Sequence, residues 1–434
     1  MLPVILIFAI SCLAMITLVF VKPSAVIFGR QINIYWAAPL LGAVIMTVFG
    51  FIAPREIASG LLAQTEINPL KILVLFFSMT FMSIYLDAAG FFKTAATFIL
   101  SRAKTSQKTL FLLLYVTVSL LTVFTSNDII VLTFTPFICY FSKNANIDPV
   151  PYLFCEFIAA NTWSMALIIG NPTNIYLATG AGATFLGYIK VMLLPTAFAG
   201  ITSFIVMWLM FARKLQKPIE HPTLSEPLEN KPAAILGGVH LALCIAALVV
   251  CSYVDIPMWI ISLTFAVSLC ICTLIMNFVR GKRNKIIAKA IIRVPFELIP
   301  FVISMFVLVL ALEKTGVTET LGNFLSSGNA ALRFALASTL SANVVNNIPM
   351  SVMFSSITSA ISGSESYVGA LYASVIGSNI CAFLKPIGAL AGIMWMSLLR
   401  ARGIDMSFAK FTKYGAAVAV LSLLAAFAGL ILVT

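Results

Sequence analysis

Apolar residues run through this chain in stretches of about 20, the length a helix needs to cross the hydrocarbon of a bilayer. On that ruler single spans are predicted near residues 2–21, 33–53, 70–87, 186–212, 235–253, 256–279, 294–312 and 413–433. Four other stretches do not fit one span. Residues 108–142 and 331–361 are too long for one helix and carry polar residues in mid-run. This predicts two re-entrant hairpins, with Asn127 and Asp128 at one tip and Asn346 and Asn347 at the other. Residues 150–182 and 367–400 predict discontinuous helices. The first is expected to unwind from Gly170 to Asn174, the second from Gly377 through Ser378 and Asn379 to Lys385 and Pro386. Short amphipathic pieces near 91–102 and 316–327 precede the hairpins and are placed along the membrane interface.

Polar side chains and irregular backbone are tolerated at membrane depth only where they line a cavity or are buried in protein. Here such breaks come in pairs, one set in each half, which is the sequence mark of a secondary transporter's substrate site. Substrate or ion binding is therefore assigned to Ser126, Asn127, Asp128, Gly170, Asn171, Thr173, Asn174, Asn346, Asn347, Gly377, Ser378 and Asn379. A textual repeat accompanies the breaks: Leu86, Asp87 and Gly90 recur as Leu312, Glu313 and Gly316, each time just before an interfacial piece and a hairpin. The polar stretch from Gln216 to Lys231 separates the halves, giving a first repeat at 1–214, a cytoplasmic linker at 215–234 and a second repeat at 235–434.

Composition fixes the class. With 61% hydrophobic and 10% charged residues and a mean hydropathy of +1.06, the chain cannot cover a water-soluble globule, so an all-α, multi-pass membrane protein is expected. Most of its 27 Lys and Arg fall on one face when the hairpins enter and leave on one side. Arg55, Lys71, Lys190, Lys314 and Arg333 fall on the other face, and Lys385 stays within the membrane. This bias places both termini outside and gives the halves opposite orientations. It also accounts for the net charge of +12, so no nucleic-acid partner is implied. The apolar run Leu2 to Phe20 lacks a basic leading region and a cleavage site, and is assigned as a transmembrane helix rather than a secretory signal.

The eight cysteines are scattered without metal-type spacing, and His221 and His240 form no cluster, so neither metal nor cofactor is expected. No nucleotide motif, zinc motif or Ser/His pair points to catalysis, which leaves transport driven by an ion gradient, with H+ or Na+ as the coupling ion. Asp128 and Lys385 each lie about 22 Å from the cytoplasmic edge at 1.5 Å per residue, too deep for lysine to reach water, and are assigned together as the coupling element. Glu156, Asp87 and Glu313 read as interfacial charges near helix ends.

The second half, from Leu312 and Gly316 across Val345-Asn346-Asn347-Ile348-Pro349 to Ser374-Val375-Ile376-Gly377-Ser378-Asn379 and Lys385-Pro386-Ile387-Gly388, resembles the arsenite permeases of the ion transporter superfamily. Ser126-Asn127-Asp128 with Thr135-Pro136 is similar to the first-half motif of that family. The resemblance implies an inverted-repeat fold with a scaffold and a moving transport domain, elevator-like alternating access, and efflux of arsenite or antimonite, in some members with a separate ATPase subunit. Two positions depart from its pattern: Asn379 stands where the permeases carry Asp, and the basic residue is displaced to Lys385. The Gly170 to Asn174 break is closer to other branches of the superfamily. A sodium-coupled dicarboxylate or inorganic-anion symporter and a sodium/proton antiporter therefore stay open. The expected partners are a small inorganic or organic solute and the lipid bilayer of the cell membrane, with a homodimer also left open.

Overall fold

The structure, a computed structural model, describes residues 1–21, 24–27, 30–63, 68–219, 230–254, 256–281 and 285–434. It is helical almost throughout. Helix α1 (Leu2–Val21) leads through a ribbon of β1 (Ser24–Ile27) and β2 (Arg30–Asn33) to α2 (Ala37–Val48) and α3 (Pro54–Leu62). The ribbon is antiparallel, with Ser24 opposite Asn33 and Ile27 opposite Arg30. A first series follows: α4 (Pro69–Ala88), α5 (Phe91–Ala103), α6 (Gln107–Phe124), α7 (Asn127–Asn144), α8 (Val150–Trp163), a 3-10 turn at Ile168–Gly170, α9 (Pro172–Gly180) and α10 (Phe185–Phe211). Helices α11 (Lys231–Cys251), α12 (Met258–Val279) and α13 (Ile286–Arg293) precede a second series. That series comprises α14 (Leu298–Lys314), α15 (Val317–Ser326), α16 (Ala330–Val345), α17 (Asn347–Ser359), α18 (Tyr367–Leu384), a 3-10 turn at Pro386–Gly388, α19 (Leu390–Ala401) and α20 (Phe408–Ile431).

Among the described residues nine helical segments are long and apolar enough to cross a membrane, α1 included, and the chain is a multi-pass membrane protein. One expected span fails. Of residues 33–53 only the 12 of α2 are helical, because Asn33 is held in the ribbon and the helix is closed after Val48 by Gly50 in the left-handed region (φ 74°), with the Phe51 N–H turned back to the Met46 carbonyl at 2.9 Å. Residues 220–229 of the expected linker, His221 among them, lie outside the described residues.

The two series correspond element for element, and the correspondence reaches atomic detail at their first turn. Gly90 (φ 87°) and Gly316 (φ 74°) both take a left-handed conformation that only glycine adopts freely. Each donates its N–H at 2.9 Å to the backbone carbonyl three positions back, that of Asp87 or Glu313. Each also accepts a threonine hydroxyl at 2.9 Å, from Thr94 or Thr320. The repeated glycine thus encodes the same turn twice. Packing exchanges partners between the series in the same way: α7 lies on α19 as α17 lies on α9, α6 on α8 as α16 on α18, and α10 on α20.

Helix α18 approaches α16 closely at Gly377. A Cβ there would collide with Oγ of Ser338 and come within 2.9 Å of both the Ala335 carbonyl oxygen and the Thr339 nitrogen. Two of those atoms are backbone, so the helices themselves would have to separate. Gly377→Ala is expected to lower stability by about 1–3 kcal/mol, the usual range for overpacking. Thermal unfolding of the detergent-purified variant checks this, and an unchanged midpoint would refute the close approach.

Candidate functional site

The site grows from the helix breaks. In the first series α8 ends at Trp163, a short 3-10 turn follows, and Asn171 is extended (φ −150°, ψ 140°) before Pro172 opens α9. Gly170 is required there because a Cβ would strike the Ser164 carbonyl oxygen. Asn171 caps α9 by accepting the Thr173 N–H at 3.2 Å, and Asn174 turns back to donate to the carbonyl oxygens of Ser164 (2.8 Å) and Leu167 (3.2 Å). These amides satisfy the backbone groups that the break leaves uncovered.

In the second series the break is displaced from its expected place. Gly377, Ser378 and Asn379 lie inside a continuous α18, and unwinding begins only at Lys385 (φ −140°, ψ 145°). The cause is local: the Ser374, Ser378 and Asn379 side chains bond back to carbonyls three or four residues earlier, at 2.8, 2.7 and 2.9 Å, so their polar groups fit within the helix. Pro386 instead forces the preceding residue into extended backbone. Where the first break has Asn171 as cap, the second has Ala389.

Asn379 then joins the two halves. Its Oδ1 accepts from Asn171 Nδ2 (2.8 Å) and Ser164 Oγ (3.1 Å), and its Nδ2 donates to Asn174 Oδ1 (2.7 Å). Beside it Thr173 and Ser378 share a hydroxyl contact of 3.1 Å. All six of these side chains are buried. The result is a knot of amides and hydroxyls, and among the described residues no Lys, Arg, Asp or Glu bonds into it.

Two helix tips flank the knot. Asn127, at the start of α7, donates to Asn161 Oδ1 at 3.0 Å, and Asn347 donates to the Ser378 carbonyl at 3.4 Å. The Oδ1 atoms of both are buried without a partner. Ser126 is buried at the first tip. Asn346 has φ 76° and ψ 154°, a region that costs a side-chain-bearing residue about 1–3 kcal/mol. It is held there by donating to the Ile387 carbonyl at 2.9 Å and accepting the Ile348 N–H at 3.3 Å. The second tip is thereby tied to the second break. A narrow cleft lined by Met15, Tyr35, Phe301, Asn346, Ile348 and Ile387 reaches this tie.

The structure thus brings Asn171, Thr173, Asn174, Ser378 and Asn379 into one network, with Asn127 and Asn347 at its edge, while Gly170 and Gly377 serve close packing. The two expected coupling charges do not meet. Asp128 is half-buried and Lys385 exposed from the protein, and no ion pair joins them. One acid also differs from the sequence reading, and a second gains a partner. Glu156 is fully buried rather than interfacial, because α8 is covered on all sides. Asp87 pairs with Arg293 at 2.6 Å and accepts the Thr133 hydroxyl at 2.8 Å, tying α4 to α13 and α7. Asn161 and Ser164 were not singled out by the sequence. Their signal is a polar residue at the end of an apolar run, which also marks many helix termini.

Comparison with known proteins agrees with this architecture. Residues 25–377 match the CitMHS family, described as citrate transporter. The chain is 26% identical over 405 residues to the arsenical pump membrane protein of Escherichia coli K12, covering 89% of this chain and 90% of that one. It is 25% identical over 430 residues to a 46 kDa membrane protein of Mycobacterium leprae, covering 93% and 95%. Among solved structures it resembles the YdaH transporter of Alcanivorax borkumensis, a transporter of unusual topology, with a TM-score of 0.57 at 14% identity over 99% of this chain and 97% of that one. The arsenical-pump resemblance read from the motifs therefore extends along most of the chain.

Proposed function

The chain belongs to the CitMHS family of citrate transporters, and from that premise we propose that it is an ion-gradient-coupled secondary transporter exporting arsenite or antimonite by an elevator-like movement. The observation that carries the choice of solute is the uncharged knot around Asn379. Trivalent arsenic in neutral water is a small trihydroxide without charge, and amides and hydroxyls replace its hydrogen bonds to water without a fixed ion. A polycarboxylate such as citrate would call for cations, and among the described residues only Lys385 lies at the second break.

The correspondence of α4–α10 with α14–α20 supports two repeats of opposite orientation, with the knot where the halves meet near mid-membrane. The unpartnered oxygens of Asn127 and Asn347 suit a small cation such as Na+, and they favour a sodium-coupled anion symporter as the second reading. Expression in an arsenite-sensitive host is expected to raise arsenite tolerance and lower cell-associated arsenic. Unchanged accumulation at full membrane expression, with sodium-dependent citrate uptake in its place, would move the assignment to the symporter.

A further inference from the structure

Below the first tip, α7 and α8 are joined by two polar rungs. The upper is Asn127 to Asn161, at the edge of the knot. The lower is Thr135, whose hydroxyl donates to the carboxyl of Glu156 at 3.3 and 3.1 Å. Both lower residues are at 0% exposure. Eight residues of α7 and five of α8 separate the rungs, about 12 and 8 Å of helix rise, so Glu156 lies between the knot and the ends of these helices near Lys143 and Val150.

Trp395 stands against the carboxyl, and its ring packs on Phe157 (centroids 5.0 Å apart) and Phe411 (5.7 Å). No salt bridge reaches Glu156 among the described residues. The thiols of Cys139 on α7 and Cys155 on its own helix are within its electrostatic reach, and Arg402, beyond α19, reaches Cys139. The helices around it also carry Lys108 and Tyr115 (α6), Asp128, Tyr140 and Lys143 (α7), Tyr152 (α8), Tyr188 and Lys190 (α10), Tyr367, Tyr372 and Cys381 (α18), Arg400 (α19), and Lys410, Lys413 and Tyr414 (α20). A bare carboxylate in such a place costs several kcal/mol.

A second polar group faces the carboxyl. The indole N–H of Trp395 is buried and directed at it from α19, without reaching ordinary hydrogen-bond geometry. A donor held in reserve serves the ionised acid, which accepts from both Thr135 and Trp395. The neutral acid needs Thr135 alone. On the other side of α7, Thr133, Pro136, Phe137 and Tyr140, together with the charged Asp87, Lys93 and Arg402, line a cavity of about 490 Å³. Pro136, next to Thr135, removes one helical hydrogen bond and leaves the carbonyl of Leu132 open at that point.

We propose that Glu156 is a proton-carrying residue of the transport cycle, its carboxyl held by Thr135 and answered by Trp395 when the proton leaves. The step is a plain proton transfer: an O–H bond of hydronium from the cavity breaks as the O–H bond of the acid forms, leaving water. Loss of the proton draws α19 toward α8 through Trp395. Because α19 follows the break that Asn346 holds at Ile387, that movement is felt at the second tip. The inference rests on the transport reading above and adds a named proton site to it.

The test uses the full chain in proteoliposomes. Infrared difference spectra of wild type against Glu156→Gln are expected to show a protonated carboxyl band that is lost in the variant. Arsenite counterflow without a gradient should stay near the wild-type rate, while flux driven by a pH gradient falls about tenfold, within the usual size of a coupling effect. Trp395→Phe, which keeps the ring and removes the reserve donor, should move the midpoint of pH-dependent flux to higher pH. This variant serves also where Gln disturbs folding. No band, or a band with unchanged gradient dependence in Glu156→Gln, overturns the proposal. If wild type itself moves no arsenite, the transport reading fails and the coupling role with it, while the band still reports whether Glu156 holds a proton.

Discussion

Replacing Asn379 by leucine should abolish solute movement, with transport falling about a hundredfold or more. Asn379 is the one side chain of the knot that bonds to three partners in the other half, Asn171, Asn174 and Ser164, at 2.7 to 3.1 Å. Leucine fills a similar volume but leaves the Asn171 amide donor and the Asn174 amide acceptor buried and unmade. Each such loss costs about 1–3 kcal/mol, and every 1.4 kcal/mol is a factor of about ten. Arsenite flux in proteoliposomes, normalised to membrane-inserted protein, measures the effect. Asn379→Asp separates chemistry from packing. The carboxylate still accepts from Asn171 and Ser164 but turns an oxygen toward Asn174 Oδ1, where the amide donated at 2.7 Å. Its flux should therefore be low at neutral pH and recover as acid restores a proton to donate. Wild-type rates in the leucine variant would remove the knot from the transport path.

Much of this was legible in the sequence, and the reasons it was legible are physical. Gly90 and Gly316 announced a repeated turn because positive φ admits little but glycine, and the structure repeats that turn bond for bond. Polar residues in apolar runs located both tips, since uncovered amides at membrane depth demand protein partners. What failed were inferences about where a helix yields. Glycine, serine and asparagine at 377–379 read as an unwinding, yet their side chains return bonds to the helix and Gly377 serves the approach of α16. Proline was the better guide, since Pro172 and Pro386 mark both breaks. Glu156 was misplaced because distance from a helix end says nothing about what covers that end. Its burial depends on α7 and α19, helices remote in sequence from each other.

Asp128→Asn and Lys385→Ala are each expected to lower gradient-driven transport by about tenfold or more while sparing arsenite counterflow. The two charges do not pair in this structure, and that sharpens the expectation. Asp128 sits in the first turn of α7, where the helix N-terminus favours a negative charge, and the described residues offer it neither a hydrogen bond nor an ion pair. Tyr35, whose hydroxyl is buried without a partner, lies within its electrostatic reach. Lys385 occupies the extended residue between α18 and the Pro386 turn and is equally unpaired. A capping role for Asp128 would survive in asparagine, which caps as well as aspartate, so a transport loss in Asp128→Asn isolates the charge. Likewise, alanine tolerates the extended backbone at 385, so Lys385→Ala isolates the ammonium. If another state of the cycle brings the two together, the double variant should be no worse than the poorer single. Independent roles would instead give losses that multiply. Wild-type flux and unaltered gradient dependence in both singles would reduce Asp128 to a helix-end charge and Lys385 to a linker residue, leaving Glu156 as the acid to which proton coupling is assigned.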